Sequence, residues 1–160
     1  GRTNNMKVMF ISSMGGHLSE LLQLRALFDE VDYMLVTEKN KTTEPLRNTY
    51  GDRVRFLAYG TKHHLFSYIF IFAFNIFKSL ALFLAFKPDV LITTGTHTAV
   101  PMCYIARLFS KKVIYIETFA NAESRTVAGR LIHPVADVFI VQWESMLEFY
   151  PDAVYGGWIY

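Results

Sequence analysis

Apolar and polar positions in this chain fall into blocks of two kinds. Short apolar runs stand at Lys7–Ile11, Tyr33–Thr37, Val54–Ala58, Asp89–Thr93, Lys112–Ile116 and Val138–Val141, with Ala153–Tyr155 as a last short candidate. Runs of this length, bounded by polar or glycine turns, predict buried strands. Between them the apolar period lengthens. Leu18, Leu21, Leu22 and Phe28 recur at helical spacing, with Leu24 and Leu27 widening the stripe. Further helices are predicted over Glu44–Tyr50, with Pro45 in its first turn, and over Leu65–Phe86, Ala99–Phe109, Arg125–Ile132 and Trp143–Tyr150. Strands alternating with helices predict an α/β fold, a Rossmann-like parallel sheet wound on both faces.

Leu65–Phe86 departs from the amphipathic pattern. It is apolar nearly all round and, at roughly 22 residues, long enough to span a bilayer. Yet it contains Asn75 and Lys78, and it lies between two strand candidates. Strands on opposite sides of a membrane could not share one sheet, so the expectation is a crossover helix rather than a span. One face covers the sheet. The other, with Phe66, Ile69, Phe70, Phe74 and Phe77, meets lipid or protein. A wholly buried core helix is the alternative, but a domain of this size offers little room for one.

In a doubly wound sheet, ligands sit outside the carboxyl ends of the strands. That edge gathers the turns Ser12–His17, Thr94–Thr98 and Glu117–Ser124. Gly15-Gly16 permits a sharp corner and close approach of a ligand to the backbone. The free N–H groups of the following helix suit a phosphate or diphosphate. The alternative is a plain corner whose glycines only turn the chain. Sugar transfer to a hydroxyl needs a base and stabilisation of a departing diphosphate. His17 is the best-placed base, and Glu117 is the other carboxylate or base candidate. Glu117 also reads as a capping or salt-bridged group, and His97 as a backbone-paired one. Ser13, Gly15, Gly16, Gly95, Thr96, His97 and Asn121 are the candidate acceptor and phosphate contacts.

Composition narrows the classes. The chain has 160 residues, 52% of them hydrophobic and 16% aromatic, with only 19% charged. Mean hydropathy is +0.22, which calls for a partner interface, a membrane surface or both. A net charge of +2 gives no ground for a nucleic-acid partner. The basic stretch Lys39–His64 reads as a solvated face or as an edge facing anionic headgroups. Cys103 is the single cysteine, so no internal disulfide forms and a reducing compartment is expected. Neither a dinucleotide fingerprint nor a P-loop is present, and no residues have metal-ligand spacing. No cofactor and no metal are therefore expected. Residues 1–5 read as a tag remnant or frayed end before Met6, and no signal peptide is expected.

The chain then shows Ser13-Met14-Gly15-Gly16-His17-Leu18-Ser19-Glu20-Leu21, Pro88-Asp89-Val90 with Thr94-Gly95, and Tyr115-Ile116-Glu117-Thr118-Phe119-Ala120. Ala136–Glu144 follows, then Phe149-Tyr150-Pro151 and Tyr155-Gly156-Gly157. This order resembles the acceptor-side subunit of bacterial two-component glycosyltransferases for exopolysaccharide and capsule. It is also similar to the membrane-associated subunit of the eukaryotic UDP-GlcNAc transferase that extends dolichol-linked chitobiose. More distantly it resembles the N-terminal half of the peptidoglycan lipid II GlcNAc transferase, whose glycine turn is longer. The resemblance implies a GT-B half-domain over residues 6–160, too short to include the donor half. It would bind a lipid-diphosphate-linked acceptor at the cytoplasmic face of the plasma membrane, as a peripheral or monotopic protein. A separate UDP-sugar-binding subunit would complete the enzyme, with Trp158, Ile159 and Tyr160 as docking candidates. His17 would face the acceptor diphosphate, and Gly95 and the Glu117 loop would border the acceptor sugar. The eukaryotic subunit's N-terminal membrane helix has no counterpart here, so attachment is expected at Leu65–Phe86. The alternative role is a non-catalytic anchor that recruits and activates a complete glycosyltransferase. A free-standing nucleotide-binding domain is a third class, disfavoured by the missing motifs.

Overall fold

The strands are β1 (Lys7–Ser12), β2 (Asp32–Glu38), β3 (Val54–Leu57), β4 (Val90–Gly95), β5 (Lys112–Ile116), β6 (Val138–Val141) and β7 (Val154–Tyr155). All pair in parallel, in the order β3-β2-β1-β4-β5-β6-β7. The helices are α1 (Gly16–Leu22), α2 (Leu46–Tyr50), α3 (Leu65–Phe86), α4 (Val100–Leu108) and α5 (Val127–Ile132). This computed structural model describes residues 6–59, 65–95, 97–119 and 126–157, with the backbone alone at 65–68 and 97.

The period of two along each strand sorts side chains onto two faces. Val8 and Phe10 of β1 pack with Leu35, Val54 and Phe56 beneath Leu18 and Leu21 of α1 and Phe28. Met9 and Ile11 point the other way, into a cluster with Phe83 of α3, Met102, Cys103 and Ala106 of α4, and Ile132 of α5. Each large aliphatic or aromatic side chain among them contributes about 1.5–3 kcal/mol when fully buried. The sheet is therefore wound on both faces, as the pattern predicts. Cys103 is buried in the second cluster, and burial pushes its thiol up, so it stays protonated.

Three elements differ from expectation. The helical stripe after the glycine turn breaks after Leu22, and Arg25–Asp29 is a 3-10 turn. With three residues per turn it swings Leu27 out to solvent, while Phe28 turns inward and stacks on Tyr33 at 4.2 Å. Glu144–Glu148 is likewise 3-10 rather than a helix over Trp143–Tyr150. β4 runs on through Thr94 to Gly95, and its register with β1 shifts between Ile11 and Ser12.

Helix α3 has its predicted bounds and an inverted polarity. Its inward stripe is Asn75, Ser79 and Phe83, all buried. Its outward side carries Ile69, Phe70, Phe74 and Phe77, with Phe70 73% and Phe77 72% exposed. Asn75 accepts a hydrogen bond from the Ala58 N–H at 2.8 Å and donates to the Ala58 carbonyl at 2.9 Å, closing the end of β3. Asn75 is thereby fixed at the carboxyl end of β3, ten residues into the helix. Within the basic stretch, Arg53 pairs with Asp32, and Arg47 lies over the Phe56 ring at 5.2 Å; Lys62, His63 and His64 lie outside the described residues.

Candidate functional site

The strand order reverses between β1 and β4, which opens a crevice at their carboxyl ends. Gly15 turns the chain there at φ 88°, a conformation side chains rarely adopt. The N–H groups of Gly16, His17 and Leu18 have no partner among the described residues, as expected for the first turn of a helix. Helix α1 has only seven residues, so these groups, rather than a long macrodipole, are what the turn offers an anion.

His17 is held from β4. Thr94 is the extra residue at the register shift, and such a bulge re-aims the groups of its residue. Its carbonyl lies 3.0 Å from His17 Nδ1, and its hydroxyl donates to the His17 carbonyl at 2.6 Å. A carbonyl only accepts, so Nδ1 carries a proton, and Nε2 is the ring nitrogen turned away from β4. That nitrogen has no protein partner among the described residues. His17 is thereby fixed from two points of Thr94 at the mouth of the turn.

Ser13 is buried beneath the turn and donates its N–H to the Gly95 carbonyl at 2.8 Å. It forms the floor of the turn rather than its open surface. Gly95, at φ 98°, separates His17 from Tyr115. A Cβ there would lie 3.7 Å from His17 Nδ1 and 3.5 Å from the Tyr115 hydroxyl, so the backbone angle constrains this position more than space does. Glu38 closes the other flank by accepting from the Met14 N–H at 3.1 Å.

Glu117 lies below the crevice, 1% exposed. Its Oε1 accepts from the Tyr115 hydroxyl and the Thr118 N–H, each at 3.0 Å, and the Thr126 hydroxyl lies 3.1 Å from Oε2. Thr126 in turn caps α5 by accepting from the Gly129 N–H at 2.9 Å. Glu117, the second base or carboxylate candidate, is thus placed as a buried, hydrogen-bonded group. Both oxygens are committed to donors of the fold, so the carboxylate ties β5 to α5. Burial pushes its pKa above the ordinary 4.5, opposed by those three donors and by the nearby His17.

A carboxyl whose folded pKa is raised holds its proton more tightly in the folded state. The contribution of Glu117 to stability is therefore full below pH 4.5 and falls as pH rises toward the folded value. Urea unfolding at several pH values should show the advantage of the native chain over Glu117→Gln shrinking across that window. A gap that widened with pH would mean that Glu117 is held as a stabilised anion.

The same network sets a prediction at Gly129. Alanine is favoured over glycine in helices by about 0.8–1.0 kcal/mol. Here its Cβ would lie 2.5 Å from Glu117 Oε2 and 2.8 Å from Thr126 Oγ1. Overpacking costs about 1–3 kcal/mol, and these oxygens cannot move without losing their donors. Gly129→Ala should lower the urea midpoint at unchanged m-value; a raised midpoint would show that the network yields.

Residues not singled out by the sequence reading complete the site. Glu20 Oε1 accepts from the Thr118 hydroxyl at 2.9 Å and the Phe119 N–H at 3.1 Å, pinning the loop after β5 to α1. Glu20 stands three residues after His17, a helical neighbour spacing that could have flagged it. Trp143 donates its indole N–H to the Phe119 carbonyl at 2.6 Å and stacks on that ring at 4.7 Å. Thr96, Asn121, Trp158, Ile159 and Tyr160, with the side chains of Phe66 and His97, lie outside the described residues.

A family model described as "Oligosaccharide biosynthesis protein Alg14 like" matches residues 7–159. The chain belongs to the Alg14-like family. It is 28% identical over 183 residues to the mouse UDP-N-acetylglucosamine transferase subunit ALG14, covering 96% of this chain and 82% of that protein. The human subunit is 26% identical over 179 residues, with the same shares covered. The Candida albicans subunit reaches 37% over 88 residues, covering 51% of this chain and 40% of the other. Among solved structures the Alg14-like chain superposes on MurG of Acinetobacter baumannii with a TM-score of 0.72 at 17% identity, covering 88% of this chain and 42% of MurG. UDP-N-acetylglucosamine 2-epimerase from Rickettsia bellii gives 0.70 at 18%, covering 91% and 41%. The Alg14-like chain thus has the fold of one half of these GT-B-like proteins and spans about two-fifths of their length.

Proposed function

We propose that this Alg14-like chain is the acceptor-binding, membrane-attached subunit of a heteromeric UDP-sugar glycosyltransferase acting on a lipid-diphosphate-linked saccharide. The observation that carries this reading is the match to a named transferase subunit along 96% of the chain, with His17 preset at the turn where that fold binds ligands. In this reading the diphosphate lies against the free N–H groups of Gly16–Leu18. His17 Nε2 takes the proton of the attacking acceptor hydroxyl, while Glu117, Tyr115 and Glu20 hold the surrounding loops. Residues 6–160 form one acceptor-side half, and the donor sugar is bound by a separate subunit docked near Trp158–Tyr160. The outward phenylalanines of α3 rest on the cytoplasmic face of the plasma membrane. The biological setting is surface polysaccharide synthesis, exopolysaccharide or capsule. The relatives' names point to GlcNAc as the sugar transferred.

The burial of Glu117, with both oxygens accepting hydrogen bonds from the fold, supports a second reading. There the chain only anchors and activates a complete partner enzyme. Purification of the tagged chain from its native membranes in mild detergent tests the shared premise. A stoichiometric second protein with a UDP-sugar-binding domain is expected, and recovery of the chain alone and free of lipid would refute both readings. Slow but real turnover by the isolated partner would favour the anchor.

A further inference from the structure

Helices α3 and α4 pack side by side, and their outer faces leave a groove of about 330 Å³. Its walls are Phe72 and Ile76 of α3 and Val100, Pro101, Tyr104 and Leu108 of α4. The one side-chain polar atom among these residues, the Tyr104 hydroxyl, is turned away to donate to the Leu131 carbonyl at 2.7 Å. The groove thus offers an occupant hydrocarbon and no hydrogen-bonding side chain, which selects an apolar chain over a polar ligand.

Its position says which chain. Val100 and Pro101 open α4 directly after the 3-10 turn His97–Ala99, which follows Gly95. That end of the groove therefore lies on the side of the sheet where β4 ends, the side that carries the His17 turn. The other wall belongs to α3, whose Phe70, Phe74 and Phe77 face outward. A groove that starts on the side of the proposed diphosphate site and runs along the proposed membrane face is placed to receive what joins them. We propose that it binds the diphosphate-proximal hydrocarbon of the acceptor's polyprenyl tail, an inference that rests on the acceptor reading above. The tail would leave the bilayer along α3 and α4, so that lipid is recognised as well as phosphate and sugar.

Benzophenone-tagged farnesyl diphosphate, photolysed with the full chain in detergent and mapped by peptide mass spectrometry, tests this. Adducts are expected on Phe72, Ile76, Tyr104 or Leu108, displaced by untagged farnesyl diphosphate but not by phosphatidylcholine vesicles of equal hydrocarbon content. Ile76→Trp fills the groove, and Leu108→Asp makes its floor polar. Both replace exposed side chains, so thermal midpoints should hold while adduct yield falls at least tenfold. Unchanged labelling in both variants, displacement by phosphatidylcholine, or adducts confined to Phe70 and Phe77 would overturn the proposal. Labelling at the His17 turn without the groove would overturn it and leave the acceptor reading standing. Labelling at neither place would overturn both.

Discussion

His17→Ala should lower sugar transfer by the assembled enzyme about 10²–10⁴-fold, the usual contribution of a positioned general base. The fold should hardly notice. His17 is partly buried, and among the described residues its ring makes one hydrogen bond, to the Thr94 carbonyl, which water can replace. A change in unfolding free energy of no more than about 0.5 kcal/mol is expected for such a site. The distribution of the loss between constants is diagnostic. Nε2 is presented to a proton that moves only in the reaction, so kcat should fall while KM for the acceptor changes little. A rise in KM at constant kcat would assign His17 to phosphate positioning instead. Steady-state kinetics with a lipid-diphosphate acceptor distinguish the two, and full activity in the variant would remove His17 from the mechanism.

Replacing Phe70 and Phe77 together by serine should release the chain from membranes. Both rings are more than two-thirds exposed, so their removal costs the folded protein little. Each ring contributes about 1.5–3 kcal/mol if it is buried in the lipid interface. Losing both should weaken partitioning into vesicles by about 10²–10⁴-fold, at tenfold per 1.4 kcal/mol. The inverted polarity of α3 makes the prediction specific. Asn75 and Ser79 face the protein while phenylalanines face out, an arrangement that water alone would not favour. Flotation of the variant with anionic vesicles should fail where the native chain floats. Unchanged flotation would place the membrane contact elsewhere, and the basic stretch around Lys39 and Lys41 would be the next surface to test.

Much of the fold could be read directly because strand and helix periods differ so clearly in this chain. β5, β6 and α3 have their predicted bounds. The two-faced core follows from the alternation in β1, where Val8 and Phe10 serve one cluster and Met9 and Ile11 the other. The 3-10 turns escaped because Leu24, Leu27 and Phe28 keep helical spacing; only packing of Phe28 on Tyr33 and Tyr50 shows which residue turns inward. The site was legible as a meeting of turns, since parallel strands bring their carboxyl ends together. Its internal wiring was not. The bulge that aims Thr94 at His17 depends on a register between strands far apart in sequence. The burial of Glu117 depends on Thr126 and Tyr115 reaching it from two different elements. No local pattern encodes either arrangement.

In the proposed reading, catalysis needs two chains, this one holding the acceptor and another holding the donor sugar. The most direct test of that reading is transfer from radiolabelled UDP-GlcNAc to a synthetic lipid-diphosphate saccharide, measured with this chain, with the co-purified donor-binding subunit, and with both. Transfer only when both are present, lowered about 10²–10⁴-fold by His17→Ala in this chain, is the predicted result. Full-rate transfer by either chain alone would contradict it.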